Sequence, residues 1–371
     1  MIVADICIVG AGMAGASLAA RLAPHARLVL IEAEAQPAYH ATGRSAAFFA
    51  ETYGGSFVQP LTTASKAFFK QPPPGFAQAP LFGPLGCLHI AQAEDVPLLD
   101  EMDRVFTGLG VTLSSVGQAA LRERVPQLAP AWVAARDEPG CRDIDVAALH
   151  AGFLRQARQE GALVQLDSRL LEAARTGGRW RIETTRGAID AALVVNAAGA
   201  WADVVAQSCG ARPLGLQPLR RTMVQVSVDA PVPSGLPLVM DVGGRFYFKP
   251  EAGGRLWLTP HDEIPQPPGD AAAHELEVAL AIERFTAATC WRISRVDRRW
   301  AGLRTFASDR VPVYGFDPRQ PGFFWCAGQG GFGIQTAPAA GMLAASLVLG
   351  LSPSEAVAGI DAERYAPGRF R

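Results

Sequence analysis

The chain has 371 residues, 49% of them hydrophobic and 19% charged, and its formal net charge at pH 7 is −1. This length suits two domains, or one large domain with an insertion, and the apolar content is ample for a core. Because the net charge is close to zero, there is no electrostatic case for binding nucleic acid or an anionic membrane. The cysteines are scattered without a Cys-x-x-Cys pair, which predicts no disulfide framework and no metal site and favours a reducing compartment: Cys7, Cys87, Cys141, Cys209, Cys290 and Cys326.

The first predicted elements are a strand, a glycine-rich turn, a helix and a second strand. The apolar run Ile6–Val9 predicts a buried parallel strand, and Met13–Leu22 predicts a helix. Leu28–Ile31 predicts a second buried strand, which is followed by Glu32. The turn between the first strand and the helix reads Gly-Ala-Gly-Met-Ala-Gly, residues 10–15. A Gly-x-Gly-x-x-Gly turn is weak by itself, but it is a credible signal in this βαβ context.

Each residue type in this turn has a physical task in binding an adenine dinucleotide. Gly10 permits a tight turn, and Gly12 lets the backbone approach a pyrophosphate at a helix N-terminus. Gly15 lets the helix pack closely on the strand, and Glu32 stands where a carboxylate accepts hydrogen bonds from a ribose diol. The sequence therefore predicts an adenine dinucleotide. The alternative is a glycine turn in an ordinary α/β domain.

The middle of the chain predicts a helix followed by strands. Asp145 is a candidate N-cap for a helix over residues 146–160. Leu163–Leu166 and Trp180–Thr184 alternate like strands, and Gly177-Gly178 predicts the turn of a hairpin. Proline-rich stretches predict two surface loops, at residues 71–80 and 264–268.

Two later segments repeat the order of strand, small-residue turn and helix. The first is the strand Ala192–Asn196, which runs into the turn Ala197–Trp201. The second is the strand Phe323–Ala327, the turn Gly328–Gly333 and a helix through Met342 to Leu349. Such turns place backbone N–H groups beside a ligand, although they also serve close packing of a helix on a sheet. We expect all three glycine turns to converge on one cofactor.

This convergence predicts an α/β (α+β) fold with a discontinuous, Rossmann-like cofactor-binding domain. That domain comprises residues 1–50, 141–204 and 300–371. Residues 51–140 and 205–299 are expected to form a substrate-binding domain with a mainly antiparallel sheet.

The sequence predicts no transmembrane segment and a cytoplasmic protein. The apolar stretch Ala340–Leu351 is far shorter than the roughly 20 residues that span a bilayer. The first strand begins almost at Met1, which leaves no room for a signal peptide.

A family resemblance extends over nearly the whole chain, in the stretches ICIVGAGMAGASLAARL, HATGRSAA, DIDVAALHAGFLRQAR, VVNAAGAWAD, LGLQPLRR, FYFKP, WAGLRTF and GQGGFGIQT. These stretches resemble the D-amino acid oxidase-like (DAO) family of FAD-dependent oxidoreductases, and within it the bacterial FAD-dependent D-arginine dehydrogenases. NAD enzymes share the first motif but not the last, so FAD is the expected cofactor. Nothing here matches the covalent cysteine of the sarcosine oxidase relatives, so the resemblance implies non-covalent FAD.

The resemblance implies which residues lie along the FAD. The glycine turn and Glu32 would hold the ADP half, the segment after His40 would follow the pyrophosphate and flavin, and the last turn would line the isoalloxazine ring. The implied cofactor-binding residues are Gly10, Gly12, Met13, Ala14, Gly15, Glu32, Ala33, Thr42, Gly43, Arg44, Ser45, Ala46, Ala47, Leu170, Ala198, Gly199, Trp201, Gly330, Gly331, Gly333 and Ile334.

The resemblance also implies a substrate site with two arginines. Arg221 and Arg304 match the family positions that clamp a substrate carboxylate, and such a bidentate pair would hold the substrate over the flavin. Tyr247 and Tyr53 would add phenol hydrogen bonds to the carboxylate. The backbone carbonyl of Gly331 would take the substrate amine. No dedicated base is required, since an amine can lose its proton to solvent or a neighbour.

The substrate pocket departs from the D-arginine dehydrogenases. Phe48 and Ala50 lie in a segment where those relatives carry polar residues, and Cys87 stands where they carry Glu. Loss of this carboxylate removes the partner of a cationic side chain, and burying an unpaired cation costs several kcal/mol. We therefore expect D-arginine and D-lysine to be poor substrates. Glu51 would compensate if its side chain faced the pocket, and the alternation of side chains leaves this open.

The resemblance thus implies oxidation of the C–N bond of D-amino acids with neutral or apolar side chains. Hydride transfer to flavin N5 would produce an imino acid, then a 2-oxo acid and ammonia. The alternative is another 2-substituted acid on the same arginine clamp, a 2-hydroxy acid or an N-methylglycine. A third hypothesis is a flavoprotein that binds ligands or relays electrons without turnover. The electron acceptor, oxygen or a quinone-like compound, and the oligomeric state stay open at this stage.

Overall fold

The computed structural model describes residues 1–370. Within them lie eight α-helices: α1 (Met13–Leu22), α2 (Gln59–Lys70), α3 (Val96–Thr107), α4 (Gln118–Arg124), α5 (Val146–Gln159), α6 (Ala202–Ser208), α7 (Glu275–Ala288) and α8 (Gly333–Leu349). The same residues form twenty strands: β1 (Ile2–Val9), β2 (Leu28–Ile31), β3 (Phe48–Phe49), β4 (Phe82–Pro84), β5 (Cys87–Ala91), β6 (Ser114–Gly117), β7 (Ala134–Glu138), β8 (Arg142–Ile144), β9 (Leu163–Gln165), β10 (Leu170–Thr176), β11 (Arg179–Thr184), β12 (Gly187–Asn196), β13 (Gln217–Val228), β14 (Leu238–Asp241), β15 (Tyr247–Glu251), β16 (Arg255–Thr259), β17 (Ile264–Pro265), β18 (Ile293–Phe306), β19 (Val313–Phe316) and β20 (Phe323–Ala327). The strands form sheets of eight, nine and three strands.

The eight-stranded sheet has a parallel centre in the order β9-β2-β1-β12-β20. Its register pairs Val9 with both Ile31 and Asn196, so that three strands end at one edge. Strands β10 and β11 continue it in antiparallel fashion beside β12, and β19 pairs antiparallel with β20. A parallel strand buried on both faces gives a continuous apolar run, and for this reason the predicted bounds of β2 agree with the structure. The predicted bounds of α1 agree with it as well.

Helices cover both faces of this sheet. Ile6 and Ile8 belong to the cluster formed with α1, α5 and α8, whereas Cys7 and Val9 pack in the cluster that includes α6. Helices α1 and α8 approach closely, since a Cβ on Gly341 would lie 3.1 Å from the Ser17 carbonyl oxygen. The strand edge that bears the glycine turn is thereby held rigidly between two packed layers.

The nine-stranded sheet is antiparallel except for the parallel pair β14 and β5. Its longest pair is β13 with β18, which runs from Gln217 opposite Phe306 to Val228 opposite Ile293. The predicted boundary between the two domains, at residue 300, falls inside strand β18. The division of the chain into two domains stays a prediction. The small third sheet, in the order β3-β8-β4, includes Phe48.

Some local expectations differ from the structure. The hairpin partner of β11 is β10 and not Leu163–Leu166, which instead forms β9 beside β2. Gly177 and Gly178 both have positive φ, the geometry of a two-residue turn, and such a turn joins strands adjacent in sequence. Ile264–Pro265 is a short strand paired with β13 rather than a loop.

Other local expectations are confirmed. The Asp145 side chain accepts a hydrogen bond from the Ala148 amide at 2.8 Å and caps α5. The helix predicted to run to Leu349 ends there, and Gly350 follows it with a φ of +63°, the left-handed C-cap conformation. Among residues 1–370, no helix combines the length and the apolar character that crossing a membrane requires.

Candidate active site

A cleft of about 530 Å³ lies along the carboxyl ends of β1 and β2 and reaches across to β18 and α8. This volume is within the range of cofactor and small-molecule sites. Most of the cofactor-binding residues that the resemblance implies line it: Gly10, Gly12, Met13, Ala14, Glu32, Ala33, Thr42, Arg44, Ser45, Leu170, Ala198, Gly199, Trp201, Gly330, Gly331, Gly333 and Ile334. All three glycine turns therefore meet at one cleft, as their order along the chain predicted.

The first turn is a cradle that only glycine can form. Gly10 has a φ of +103°, and a Cβ there would lie 2.5 Å from the Ala197 carbonyl oxygen. A Cβ on Gly15 would lie 1.9 Å from the Gly10 carbonyl oxygen. Gly12 lines the cleft at the start of α1, where free backbone N–H groups suit a pyrophosphate. This turn fits the dinucleotide of FAD.

Four residues of the implied cofactor set do not line this cleft. Gly15 packs inside the turn, and a Cβ on Gly43 would lie 2.6 Å from the Ala38 carbonyl oxygen. Their role in the structure is close backbone packing. Ala46 and Ala47 line a second, smaller cavity at the far end of the cleft.

Side chains from distant elements fix the cradle. Glu32 accepts a hydrogen bond from the Ala11 amide at 2.8 Å, and Thr42 Oγ1 accepts one from the Met13 amide at 3.0 Å. His150, on α5, donates from Nε2 to the Ala11 carbonyl at 2.9 Å, and burial lowers the pKa of His150. Sequence reasoning missed His150, although a histidine on the apolar face of α5 was a signal.

Arg44 closes the cleft from the side of β18. Its guanidinium pairs with Asp270 and donates to the Ala271 carbonyl at 2.7 Å. Tyr39 also donates to Asp270, at 3.0 Å, and its ring lies 5.0 Å from the Arg44 guanidinium. The loop after β17 is thus held over the cleft by charge and hydrogen bonds.

The second cavity, of about 20 Å³, adjoins the cleft at Gly331 and Ile334. It brings together the five residues for which the resemblance implied contacts with the carboxylate or amine of a substrate, although they come from five separate parts of the chain. The lining residues are Ser45, Ala46, Ala47, Phe48, Tyr53, Arg221, Tyr247, Arg304, Gly331, Ile334 and Gln335.

Arg304 is a buried cation without an acidic partner among residues 1–370. It is 8% exposed, and its guanidinium donates to the carbonyls of Ala41 and Arg44 at 3.3 Å each. Burial and the neighbouring Arg221 lower the pKa of Arg304. A buried charge without a counter-ion is costly, so the remaining donors of this guanidinium are suited to an anionic ligand.

Arg221, in contrast, is already engaged. Its Nε donates to the Asp262 carbonyl at 2.7 Å, and Nη2 pairs with Glu263 at 2.9 Å. Glu263 is shared with Arg310, at 2.6 Å. The adjacent Arg220 points to the other face of β13 and pairs with Glu277 at 2.9 Å, because neighbours on a strand alternate.

Aromatic rings form the walls of the small cavity. The ring of Phe48 lies 5.0 Å from Tyr53 and 5.5 Å from Tyr247. The Tyr247 hydroxyl donates to Met223 Sδ at 3.7 Å, and burial raises the pKa of Tyr247. The Tyr53 hydroxyl lies over Gly331, where a Cβ would come within 2.9 Å of it.

A buried carboxylate anchors the segment that carries Tyr53. Glu138 accepts from the Glu51 amide at 2.6 Å, from Thr52 Oγ1 at 2.7 Å and from His89 Nε2 at 3.1 Å. Burial alone would raise the pKa of Glu138, but the hydrogen bonds from these three donors lower it. Gln335, on α8, donates to the Tyr53 carbonyl at 3.0 Å.

Sequence reasoning missed these anchors. Gln335 lies directly after the last glycine turn, and His89 interrupts an apolar strand, but neither position shows which backbone group it meets. Only the fold brings Glu138 beside residues 51–52.

Two of the three pocket residues from the sequence analysis do not reach the cavity. Ala50 and Cys87 are fully buried and line neither cavity. Both share a buried cluster with Phe48, which does line the small cavity, and their role as pocket residues stays a prediction. Glu51 faces α2, where it pairs with Lys66 at 2.6 Å and accepts from Thr63 at 2.6 Å. It therefore offers no carboxylate to a substrate.

Comparisons with known proteins extend over the whole chain. Residues 5–347 match the DAO family, FAD dependent oxidoreductase. Glycine oxidase of Geobacillus kaustophilus (strain HTA426) is 26% identical over 363 residues, 93% of this chain and 92% of the relative. The crystal structure of glycine oxidase from Geobacillus kaustophilus has a TM-score of 0.87 at 23% identity and covers 100% of both chains. The crystal structure of L-proline dehydrogenase from P. horikoshii has a TM-score of 0.86 at 21% identity and covers 100% of this chain and 98% of its own.

The two structural likenesses establish the fold, and the family match establishes the cofactor class. The particular resemblance to D-arginine dehydrogenases stays a prediction. The family match spans nearly the whole chain, and the cleft has the glycine cradle that a dinucleotide requires. This protein is therefore a member of the DAO family of FAD-dependent oxidoreductases, with FAD as its cofactor.

Proposed function

We propose that this protein oxidises the C–N bond of small, neutral α-amino acids, glycine and short D-amino acids among them. The substrate loses a hydride and a proton and becomes an imino acid, which water hydrolyses to a 2-oxo acid and ammonia. FAD, when bound, accepts the hydride. The observation that carries the proposal is Arg304, a buried guanidinium without a carboxylate partner at the junction of the cleft and the small cavity.

The residues of the small cavity bind and orient the substrate in this proposal. Arg304 binds the carboxylate, and Arg221 lies beside it with its charge partly compensated by Glu263. The Gly331 carbonyl receives the amine. Phe48 and Tyr247 exclude water from the α-carbon, which strengthens each polar contact inside the site.

The size and charge of the cavity favour a short, neutral side chain. The rings of Phe48, Tyr53 and Tyr247 line the small cavity, so a bulky side chain on the α-carbon would meet an aromatic wall. None of the residues that line it is acidic, and Glu51 is paired with Lys66. D-arginine and D-lysine are therefore expected to be poor substrates, and large apolar side chains such as that of D-phenylalanine are expected to be disfavoured by Phe48.

An N-methylglycine is the second candidate substrate. Phe48, Tyr53 and Tyr247 enclose the position next to Gly331 with aromatic rings. Aromatic rings favour a methylated ammonium group through their negative faces. The same arginine would hold the carboxylate of such a substrate.

An anaerobic flavin-bleaching screen tests the proposal. The purified yellow protein is mixed with glycine, D- and L-alanine, larger D-amino acids, sarcosine and 2-hydroxy acids, and the visible flavin band is followed. Bleaching by glycine or D-alanine supports the proposal, and faster bleaching by sarcosine selects the N-methyl alternative. Bleaching by 2-hydroxy acids alone, or by no compound of the set, contradicts amine oxidation.

Replacing Phe48 with alanine is expected to move the preference toward longer side chains. Removal of the ring enlarges the cavity, and differences of one or a few methylenes change kcat/KM by about tenfold or more. The measurement is the ratio of kcat/KM for D-leucine to that for glycine. Phe48→Tyr is the matched control, because it keeps the ring and should keep the ratio. An unchanged ratio in Phe48→Ala would show that the side chain points elsewhere.

A further inference from the structure

His261 is held in an uncommon backbone conformation beside the small cavity. It follows β16 with a φ of +53°, a region that non-glycine residues adopt rarely and that is often found at functional sites. Its ring lies 6.1 Å from the ring of Tyr53 and 5.8 Å from that of Tyr247. The strained backbone places this imidazole against the two tyrosines of the site.

The hydrogen bonds of His261 determine its tautomer. Nδ1 lies 2.7 Å from the Gly244 carbonyl oxygen, which can only accept, so Nδ1 carries the proton. Burial and the charge of Arg221 lower the pKa of His261 to about 4, and the ring is neutral at ordinary pH. The charged groups around it are Arg221, Glu263 and Arg310. In this neutral tautomer Nε2 is an acceptor.

The neighbouring His261 and Arg221 determine the direction in which the Tyr53 hydroxyl donates its proton. Nε2 of His261 lies 3.4 Å from the Tyr53 oxygen, and Nη1 of Arg221 donates to the same oxygen at 3.4 Å. A phenol has one proton, so a hydroxyl that donates to His261 has none left for a second acceptor. The same oxygen lies beside Gly331, where a Cβ would come within 2.9 Å of it, and the Gly331 carbonyl is the proposed acceptor for the substrate amine.

We infer that His261 is a positioning residue, which turns the Tyr53 hydroxyl so that its oxygen accepts a hydrogen bond from the substrate amine. In this arrangement Tyr53 and the Gly331 carbonyl hold the amine together. The resemblance implied the opposite role for Tyr53, donation to the carboxylate, and in this arrangement Arg304 binds the carboxylate instead. The inference rests on the proposed function, since it requires an amine substrate.

A double-mutant cycle between positions 261 and 53 tests this inference. His261→Gly and His261→Asn both remove the imidazole, and both residues tolerate a positive φ. A loss of activity that the two variants share is therefore due to the missing ring and not to a changed backbone. Loss of one directed hydrogen bond is expected to lower kcat/KM for glycine about tenfold in either variant. Tyr53→Phe is expected to have a similar effect, and the double variants should be no worse than Tyr53→Phe alone.

Acetate supplies a readout that does not depend on turnover. It has the carboxylate of glycine but no amine, and its binding is followed by the change that it causes in the flavin spectrum. The Kd for acetate is expected to stay within about twofold of wild type in the His261 variants, because Arg304 is intact.

Two results would overturn the inference. One is that substitution of His261 lowers kcat/KM as much in the Tyr53→Phe variant as in the wild-type protein. The imidazole would then act through a group other than the Tyr53 hydroxyl. The other is a Kd for acetate that rises as much as kcat/KM falls, which would return Tyr53 to the carboxylate. Failure of the proposed function is separately visible, because wild-type flavin would then not be bleached by any amine.

Discussion

Replacing Arg304 with methionine is expected to leave FAD bound and to lower kcat/KM for the amine substrate by about 1000-fold, which corresponds to about 4 kcal/mol. Methionine keeps much of the side-chain volume but offers no donor to a carboxylate. The substrate carboxylate would then be buried without the guanidinium that compensates its charge. An uncompensated buried charge is strongly destabilising. Steady-state kinetics and the ratio of flavin to protein absorbance are the measurements.

Arg221→Met provides the comparison for this variant. Arg221 is paired with Glu263, and Glu263 keeps Arg310 as a partner when Arg221 is removed. We therefore expect a smaller loss of kcat/KM than in Arg304→Met. Release of FAD from Arg304→Met would show that the arginine holds the cofactor or the fold. Unchanged kinetics would show that the carboxylate binds elsewhere.

Replacing Gly10 with alanine is expected to abolish retention of FAD. The residue has a φ of +103°, and the new Cβ would lie 2.5 Å from the Ala197 carbonyl oxygen. Strain at such a backbone position alone costs about 1–3 kcal/mol, and the contact forces the cradle away from β12 as well. The variant should purify colourless, with a lower midpoint of thermal unfolding.

Gly178→Ala is the matched control for this substitution. Gly178 also has a positive φ, +84°, but a Cβ there meets nothing within 4 Å, in a hairpin turn away from the cleft. It should lose about 1 kcal/mol of stability and keep its FAD. If Gly10→Ala remained yellow at wild-type stoichiometry, the cradle would not be the site of close cofactor approach.

Elements whose signal is local could be predicted well. The helix over Met13–Leu22 and the strand over Leu28–Ile31 have the predicted bounds because the glycine turn and the apolar runs define both ends. The hairpin was assigned the wrong partner strand. The two-residue turn could be predicted because its signal is local. Strand pairing depends on the neighbouring strands in the sheet, and β9 pairs with β2.

The site was only partly predictable, because its residues come from separate elements. The resemblance named Arg221, Arg304, Tyr53 and Tyr247, and the structure places all four on one small cavity. Neither the resemblance nor the pattern indicated that Cys87 is fully buried and lines neither cavity, because burial depth depends on what packs against a strand.

The family resemblance, and not the residue pattern, named the two arginines. The sequence by itself determined the βαβ unit with its glycine cradle and the dinucleotide class of the cofactor. These depend on backbone conformation and short-range periodicity, which a few neighbouring residues specify. The tertiary structure decided which charges are compensated. It pairs Arg221 with Glu263 and Glu51 with Lys66, and it leaves Arg304 without an acidic partner in residues 1–370. Such pairings join residues far apart in the chain, and only the packing of whole sheets and helices brings them within hydrogen-bond reach.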